Sequence, residues 1–156
     1  VGQVLSEKDL VDAVTRDRAE GRSIAFANGC FDLLHVGHVR YLQAAAKEAD
    51  RLLVAVNDDP STTALKGPGR PIIAAADRAE LVAGLRNVDY VLVFGDKTVE
   101  RLLTLLKPDV HCKGTDYSIE TVPERAVVRA YGGRIAIVGD AKSHSTRDLV
   151  ARLQRE

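Results

Sequence analysis

The sequence predicts an α/β fold: a doubly wound parallel sheet of five strands, order 3-2-1-4-5, in a single domain spanning residues 1–156. Three observations predict it. Short apolar runs recur along the chain, each too brief to make a helix of its own. Segments with apolar residues at helical spacing separate them. The runs are nearly continuous in apolar residues instead of alternating, as in parallel strands covered on both faces. Right-handed crossovers then connect the strands.

The elements follow in order. SEKDLVDAVTRDRAE, residues 6–20, sets Leu10, Val11 and Val14 at helical spacing, with Ser6 as N-cap and Gly21 as stop. SIAFAN, residues 23–28, is the first strand. A helical pattern follows from near Val36, then the strand RLLVAVN over 51–57. Residues 57–70 read as a loop whose KGPGRP stretch, 66–71, is the most flap-like piece of the chain. AADRAELVAGL is a helix before the strand DYVLVF, and in it Arg78 reads as an exposed helix-face arginine unless that helix faces the site. TVERLLTLL precedes the strand DVHCK, ERAVVRAY precedes GRIAIVG, and STRDLVARLQ closes the chain as a helix.

Bulk composition narrows the function. Lys and Arg number 22 against 22 Asp and Glu, so no overall field favours nucleic acid or an anionic membrane. No apolar stretch has transmembrane length, and no secretory pattern opens the chain. The two cysteines, Cys30 and Cys112, sit in a chain without disulfide-scaffold composition, which points to free thiols in the cytoplasm.

Open parallel sheets bind ligands beyond the carboxyl ends of their strands, near the switch in strand order. Two of the four histidines, His35 and His38, stand there with Gly37 between them. If a helix starts near Val36, they share a face and bracket its exposed amides, a natural phosphate cradle. The bland alternative is a pair of solvent-facing or packed histidines at a helix start, and the residues alone leave the two readings even. A zinc set of Cys30, His35, His38 and Cys112 is the other sharp reading; its spacing matches no structural zinc pattern, and ordinary core thiols are preferred. Lys66 and Arg70 stand where they reach over bound phosphates, or simply lie on a solvated loop. Ser145 and Thr146 open the last helix, with Asp148 completing a capping box that explains Ser145 by itself.

NGCFDLLHVGH, residues 28–38, resembles the signature of the HxGH nucleotidyltransferases, a cytidylyltransferase-like superfamily with a Rossmann-like core. NGCFDLLHVGHVRYL, LLVAVNDDPSTTALKGPGRPI, VDYVLVF, PDVHCKGTDY and the terminal Ser-Thr together resemble, over essentially the whole chain, the adenylyltransferases that make ADP-heptose. Two positions depart from that pattern. Arg147 stands where a second Thr is common, and Thr115 where a glycine is expected. The sugar-kinase half fused to many such enzymes is absent, so the chain resembles a stand-alone enzyme or an excised C-terminal half.

The resemblance implies transfer of AMP from ATP to D-glycero-β-D-manno-heptose 1-phosphate, with Mg²⁺ entering on ATP and no dedicated protein ligands for it. It also implies a role in lipopolysaccharide core or a related surface glycan, and a homodimer. Residue by residue, it implies His35, His38 and Lys66 as catalytic. Cys30, Phe31, Asp32, Gly37, Lys113, Gly114, Asp116, Ser145 and Thr146 would bind nucleotide or phosphate, and Asn57, Asp58 and Arg70 would bind substrate. Cytidylyl transfer to glycerol 3-phosphate, and a non-catalytic nucleotide sensor, remain as alternatives.

Overall fold

The computed structural model describes residues 2–141 and 146–155. Its centre is a six-stranded, all-parallel sheet. The strands are β1 (Gln3–Val4), β2 (Ile24–Gly29), β3 (Arg51–Asn57), β4 (Tyr90–Phe94), β5 (Val110–Lys113) and β6 (Arg134–Ile137), in the order β1-β4-β3-β2-β5-β6. The five expected strands keep their relative order, and the count is corrected to six. The additional strand pairs only Gln3 with Tyr90 and Val4 with Val91, and both of its residues are exposed. Two exposed residues carry no burial pattern, which is why periodicity does not reveal them.

Alternation along each strand sends side chains to two separate cores. Ile24, Phe26, Leu53, Ala55, Leu92 and Phe94 pack on one face with Leu10 and Val14 of α1 (Glu7–Ala19), Leu102, Leu103 and Leu106 of α5 (Glu100–Leu106), and Val128 of α6 (Arg125–Ala130). Ala25, Ala27, Leu52, Val54, Val56, Val91 and Cys112 pack on the other. There they meet Leu42 and Ala45 of α2 (Val36–Ala46) and Ala79, Val82 and Ala83 of α4 (Ala75–Ala83). Neither face of the sheet is left to water, as the apolar runs require.

Helix starts follow the expected chemistry where a polar side chain is present. The Ser6 hydroxyl accepts from the Asp9 amide at 3.2 Å, with Glu7 and Asp9 in the first turn of α1 and Arg16 and Arg18 in the last. One helix is absent from the sequence expectation. Residues 59–66 form α3 (Asp59–Lys66) where a loop is expected, with Asp58 as N-cap and Pro60 in its first turn. Only Thr62 of α3 is buried, so this helix has no apolar stripe to announce it. The remaining helix, α7 (Thr146–Arg155), closes the chain.

Candidate active site

Strand order reverses on either side of β2, so β2 and β5 flank the switch point and their carboxyl ends diverge. A cavity of about 720 Å³ opens there, a volume suited to a nucleotide-sized ligand. Its wall includes Cys30, Phe31, Asp32, His35, Gly37, His38, Lys66, Arg70, Lys113, Gly114 and Asp116. These are eleven of the residues expected from the sequence, drawn from four separate loops and helix ends.

The chain leaves β2 through a tight turn in which Phe31 and Leu33 both adopt positive φ, 51° and 59°. Non-glycine residues hold that conformation only where their surroundings enforce it. Phe31 is buried, and its ring meets His38 edge-on at 5.5 Å. A Cβ on Gly29 would come within 3.1 Å of the Phe31 ring, so glycine at that position makes room for the turn.

His35 and His38 cap α2 through one another. The Gly37 amide donates to His35 Nδ1 at 3.1 Å, and the His35 amide donates to His38 Nδ1 at 3.2 Å. Their rings stack with centroids 3.9 Å apart. Because Nδ1 of both rings accepts from an amide, each neutral imidazole carries its proton on Nε2. This corrects one part of the expected cradle. The Gly37 amide is already committed to His35 Nδ1, so that amide is not the open donor of the expected cradle.

Asp32 does different work from the expected ligand contact. Its Oδ2 accepts from Arg70 Nε and the Ile72 amide, both at 2.8 Å, and its Oδ1 accepts from the Ile73 amide at 3.0 Å. Both oxygens are therefore occupied by the chain itself, and Asp32 anchors residues 70–73 to the end of β2. Arg70 is correspondingly held by Asp32 at the cavity wall and does not hang from a loose flap. Burial alone would raise the Asp32 carboxyl, but the Ile72 amide, Arg70 and the Ile73 amide outweigh it and hold it below the usual carboxylate range.

A lowered folded value means that Asp32 stabilises the protein above its unfolded pKa, near 4, and that this contribution is lost as pH falls through the folded value. Asp32→Asn is accordingly expected to lower stability at pH 7 while flattening the loss of stability as pH falls below about 4. Urea melts of the two proteins at neutral and acid pH check it, and equal pH slopes would contradict the anchoring role.

Asn57 and Asp58, expected as substrate contacts, fall outside the cavity wall. Asn57 Nδ2 donates to Ser61 Oγ at 3.2 Å, and Asp58 Oδ1 accepts from the Ser61 amide at 2.9 Å as the cap of α3. The Asx chemistry that suggests ligand binding in sequence is spent on starting a helix that the sequence conceals.

Arg78 is the largest reversal. It is fully buried. Its Nη1 donates to the carbonyls of Cys30, at 2.6 Å, and Asn57, at 2.8 Å; its Nε donates to the Ile73 carbonyl and its Nη2 to Asp59 Oδ1, both at 2.8 Å. One guanidinium thus joins the ends of β2 and β3, the Asp32-anchored segment and α3. Tyr41 is also missed, although it lies one turn beyond His38 on α2, where an i, i+3 reading would find it. Its hydroxyl donates to the Cys112 carbonyl at 2.8 Å and ties α2 to β5.

The far wall is made by Lys113, Gly114, Thr115, Asp116 and Tyr117 from the end of β5, with Asp140 after β6. The Thr115 hydroxyl donates to the Asp140 carbonyl at 2.9 Å, and Arg40 pairs with the Asp140 carboxylate at 3.0 Å. Thr115, a departure from the family pattern, therefore bridges two loops that a glycine there would leave untied. Ser145 lies outside the described residues, and of Thr146 only the backbone, at the start of α7, is described. The four side chains weighed as a zinc set form no metal-binding group among the described residues. Burial pushes the Cys112 thiol up to about 12, in keeping with an inert core cysteine.

The sequence model described as cytidylyltransferase-like matches residues 26–151. The chain is 47% identical over 153 residues to a protein called bifunctional protein HldE from Azotobacter vinelandii, covering 98% of this chain and 32% of the relative. It is 47% identical over 151 residues to the HldE of Pseudomonas fluorescens, covering 97% of this chain and 32% of the relative. The chain thus spans about a third of the length of the curated relatives it matches. A crystal structure of the lipopolysaccharide core biosynthesis protein from Thermoplasma volcanium superposes with a TM-score of 0.67 at 27% identity, over 78% of this chain and 100% of that one.

Proposed function

The chain belongs to the cytidylyltransferase-like family, and from that premise we propose that it is an adenylyltransferase acting on D-glycero-β-D-manno-heptose 1-phosphate. The observation that carries the reading is the pair of mutually capped histidines at the switch point, with Nε2–H donors on the wall of a nucleotide-sized cavity. The heptose assignment draws its support from the match of nearly all of this chain to about a third of the bifunctional HldE proteins.

In the proposed reaction a phosphate oxygen of the sugar 1-phosphate attacks the α-phosphorus of ATP. The new O–P bond forms as the bond to the β-phosphate oxygen breaks, and pyrophosphate leaves with that electron pair. The nucleophile is already an anion, so the protein needs no base and no covalent residue. Its task is to hold two mutually repelling phosphates in line and to stabilise the charge that develops between them. His35 and His38 supply neutral, directed donors for that charge. Lys66, at the end of α3, supplies the compensating cation from the opposite wall. Ser145 and Thr146 are proposed to grip the departing phosphates.

Mg²⁺ is proposed to enter with ATP, held chiefly by phosphate oxygens and water. Among the described residues no cluster of carboxylates or histidines is placed to hold such an ion, in keeping with a cation carried by the nucleotide. A cytoplasmic homodimer working on soluble substrates completes the reading. Among the described residues no helix is long and apolar enough to cross a membrane.

The test is pyrophosphate release with Mg²⁺, crossing ATP and CTP against the heptose 1-phosphate and glycerol 3-phosphate. Release with ATP and the heptose phosphate alone is expected. Release with CTP and glycerol 3-phosphate would keep the histidine chemistry and overturn the substrate. A melting temperature raised by ATP without any release would turn the site into a sensor.

A further inference from the structure

The two strands that flank the switch point separate before either of them ends. β2 stays paired with β3 as far as Gly29 and Val56, and β5 with β6 as far as Lys113 and Ile137. Between β2 and β5 themselves, pairing stops at Phe26 and His111. The carbonyls of Asp109 and Lys113 accept from the β6 side, from the amides of Arg134 at 3.0 Å and Val138 at 2.8 Å. Successive carbonyls along a strand point to opposite sides, so the Cys112 carbonyl faces β2, where a continued register would make the Asn28 amide its donor.

A side chain takes that place. The Tyr41 hydroxyl donates to the Cys112 carbonyl at 2.8 Å, the usual length of an O–H···O hydrogen bond. Burial holds the phenol far above its ordinary value, so the hydroxyl keeps the proton it donates. The ring packs against the core between α2 and the sheet. A Cβ on Gly139, after β6, would come within 3.3 Å of Tyr41 Cα, so the neighbouring loop presses on α2 at this same turn. Asn28 and Gly29 on one side of the gap, and Lys113 and Gly114 on the other, line the cavity together with Tyr41.

We infer that Tyr41 is a positioning residue for nucleotide binding: standing in for a rung of the β2–β5 ladder, its hydroxyl holds the two strands apart and sets the width of the crevice between the histidines and the wall formed by residues 113–117. The inference rests on the adenylyltransferase reading. On that reading the triphosphate meets the start of α2, and the rest of the nucleotide reaches across to the β5 wall. A ligand that bridges the crevice depends on its width; one that fills the phosphate cradle alone does not. Without the hydroxyl, the Cys112 carbonyl is left to the Asn28 amide, because a buried carbonyl without a donor is costly, and the rung that then forms draws the two walls together.

The experiment compares the wild type with Tyr41→Phe, which removes one oxygen and keeps the ring, in steady-state kinetics with ATP and in competitive inhibition by magnesium tripolyphosphate. Tyr41→Phe is expected to raise KM for ATP by about fivefold to tenfold, with kcat within about threefold and the inhibition constant of tripolyphosphate within about twofold of wild type. An unchanged KM for ATP, whatever the melting temperature does, overturns the inference. So does an equal loss for ATP and tripolyphosphate, which would place Tyr41 in support of the histidines alone. If Tyr41→Phe does not fold, Tyr41→Leu also lacks the hydroxyl, suits a helix better and is held to the same outcomes. A wild-type protein that neither turns over nor is shifted in melting temperature by Mg-ATP refutes the adenylyltransferase reading itself. A wild-type protein that turns over, beside a Tyr41→Phe variant that keeps its KM, refutes only the role of Tyr41.

Discussion

His38→Ala is expected to lower kcat for pyrophosphate release by about a hundredfold to a thousandfold, the usual cost of removing one donor aimed at transition-state charge. His35→Ala is expected to do the same, but it carries a second effect that must be separated. His35 is the N-cap of α2, and its Nδ1 accepts from the Gly37 amide. Losing a capping side chain costs about 0.5–2 kcal/mol of stability, so lower activity in the alanine variant mixes a frayed helix with a missing donor. His35→Asn resolves the two. Asparagine caps helices as well as any residue, yet it cannot place a donor where Nε2 stands. The expected result is a melting temperature near wild type with turnover still depressed. Turnover near wild type in both His38→Ala and His35→Asn would remove the histidines from the chemistry and leave them as a helix cap.

That double duty also marks the limit of what the sequence makes legible. HxGH in its apolar-run-to-helix setting locates the switch point, and the apolar runs locate the strands, because burial on both faces leaves a composition signal. The two core faces confirm that signal strand by strand. What stays hidden depends on contacts between distant segments. Asp32 reads as a ligand contact because nothing local shows that the amides of Ile72 and Ile73 reach it from 40 residues away. Asn57 and Asp58 read as substrate residues because α3 buries only Thr62 and shows no stripe. Arg78 reads as an exposed helix residue because arginine usually is one.

Arg78→Ala is expected to cost about 3–5 kcal/mol of folding free energy, the range found when one member of a buried charged network is deleted. The substitution strips donors from the carbonyls of Cys30, Asn57 and Ile73 and leaves the Asp59 carboxylate without its cation. Cys30 and Asn57 are buried, so their carbonyls carry the desolvation penalty, whereas the Asp59 side chain is 47% exposed and water takes up part of its loss. Arg78→Lys keeps the charge but not the fork: one ammonium cannot match three nitrogens aimed at four acceptors, and it is expected to recover only part of the loss. Urea denaturation followed by circular dichroism measures both. The consequence for catalysis separates this arginine from an ordinary core residue. The Cys30 carbonyl belongs to the turn that aims His35 and His38, and the Ile73 carbonyl to the segment that Asp32 anchors. A shift at Arg78 therefore reaches both walls of the cavity at once. Arg78→Lys, assayed where it remains fully folded, is expected to show kcat depressed beyond what its folded fraction explains. Full activity per folded molecule would mean that Arg78 holds the fold together without aiming the site.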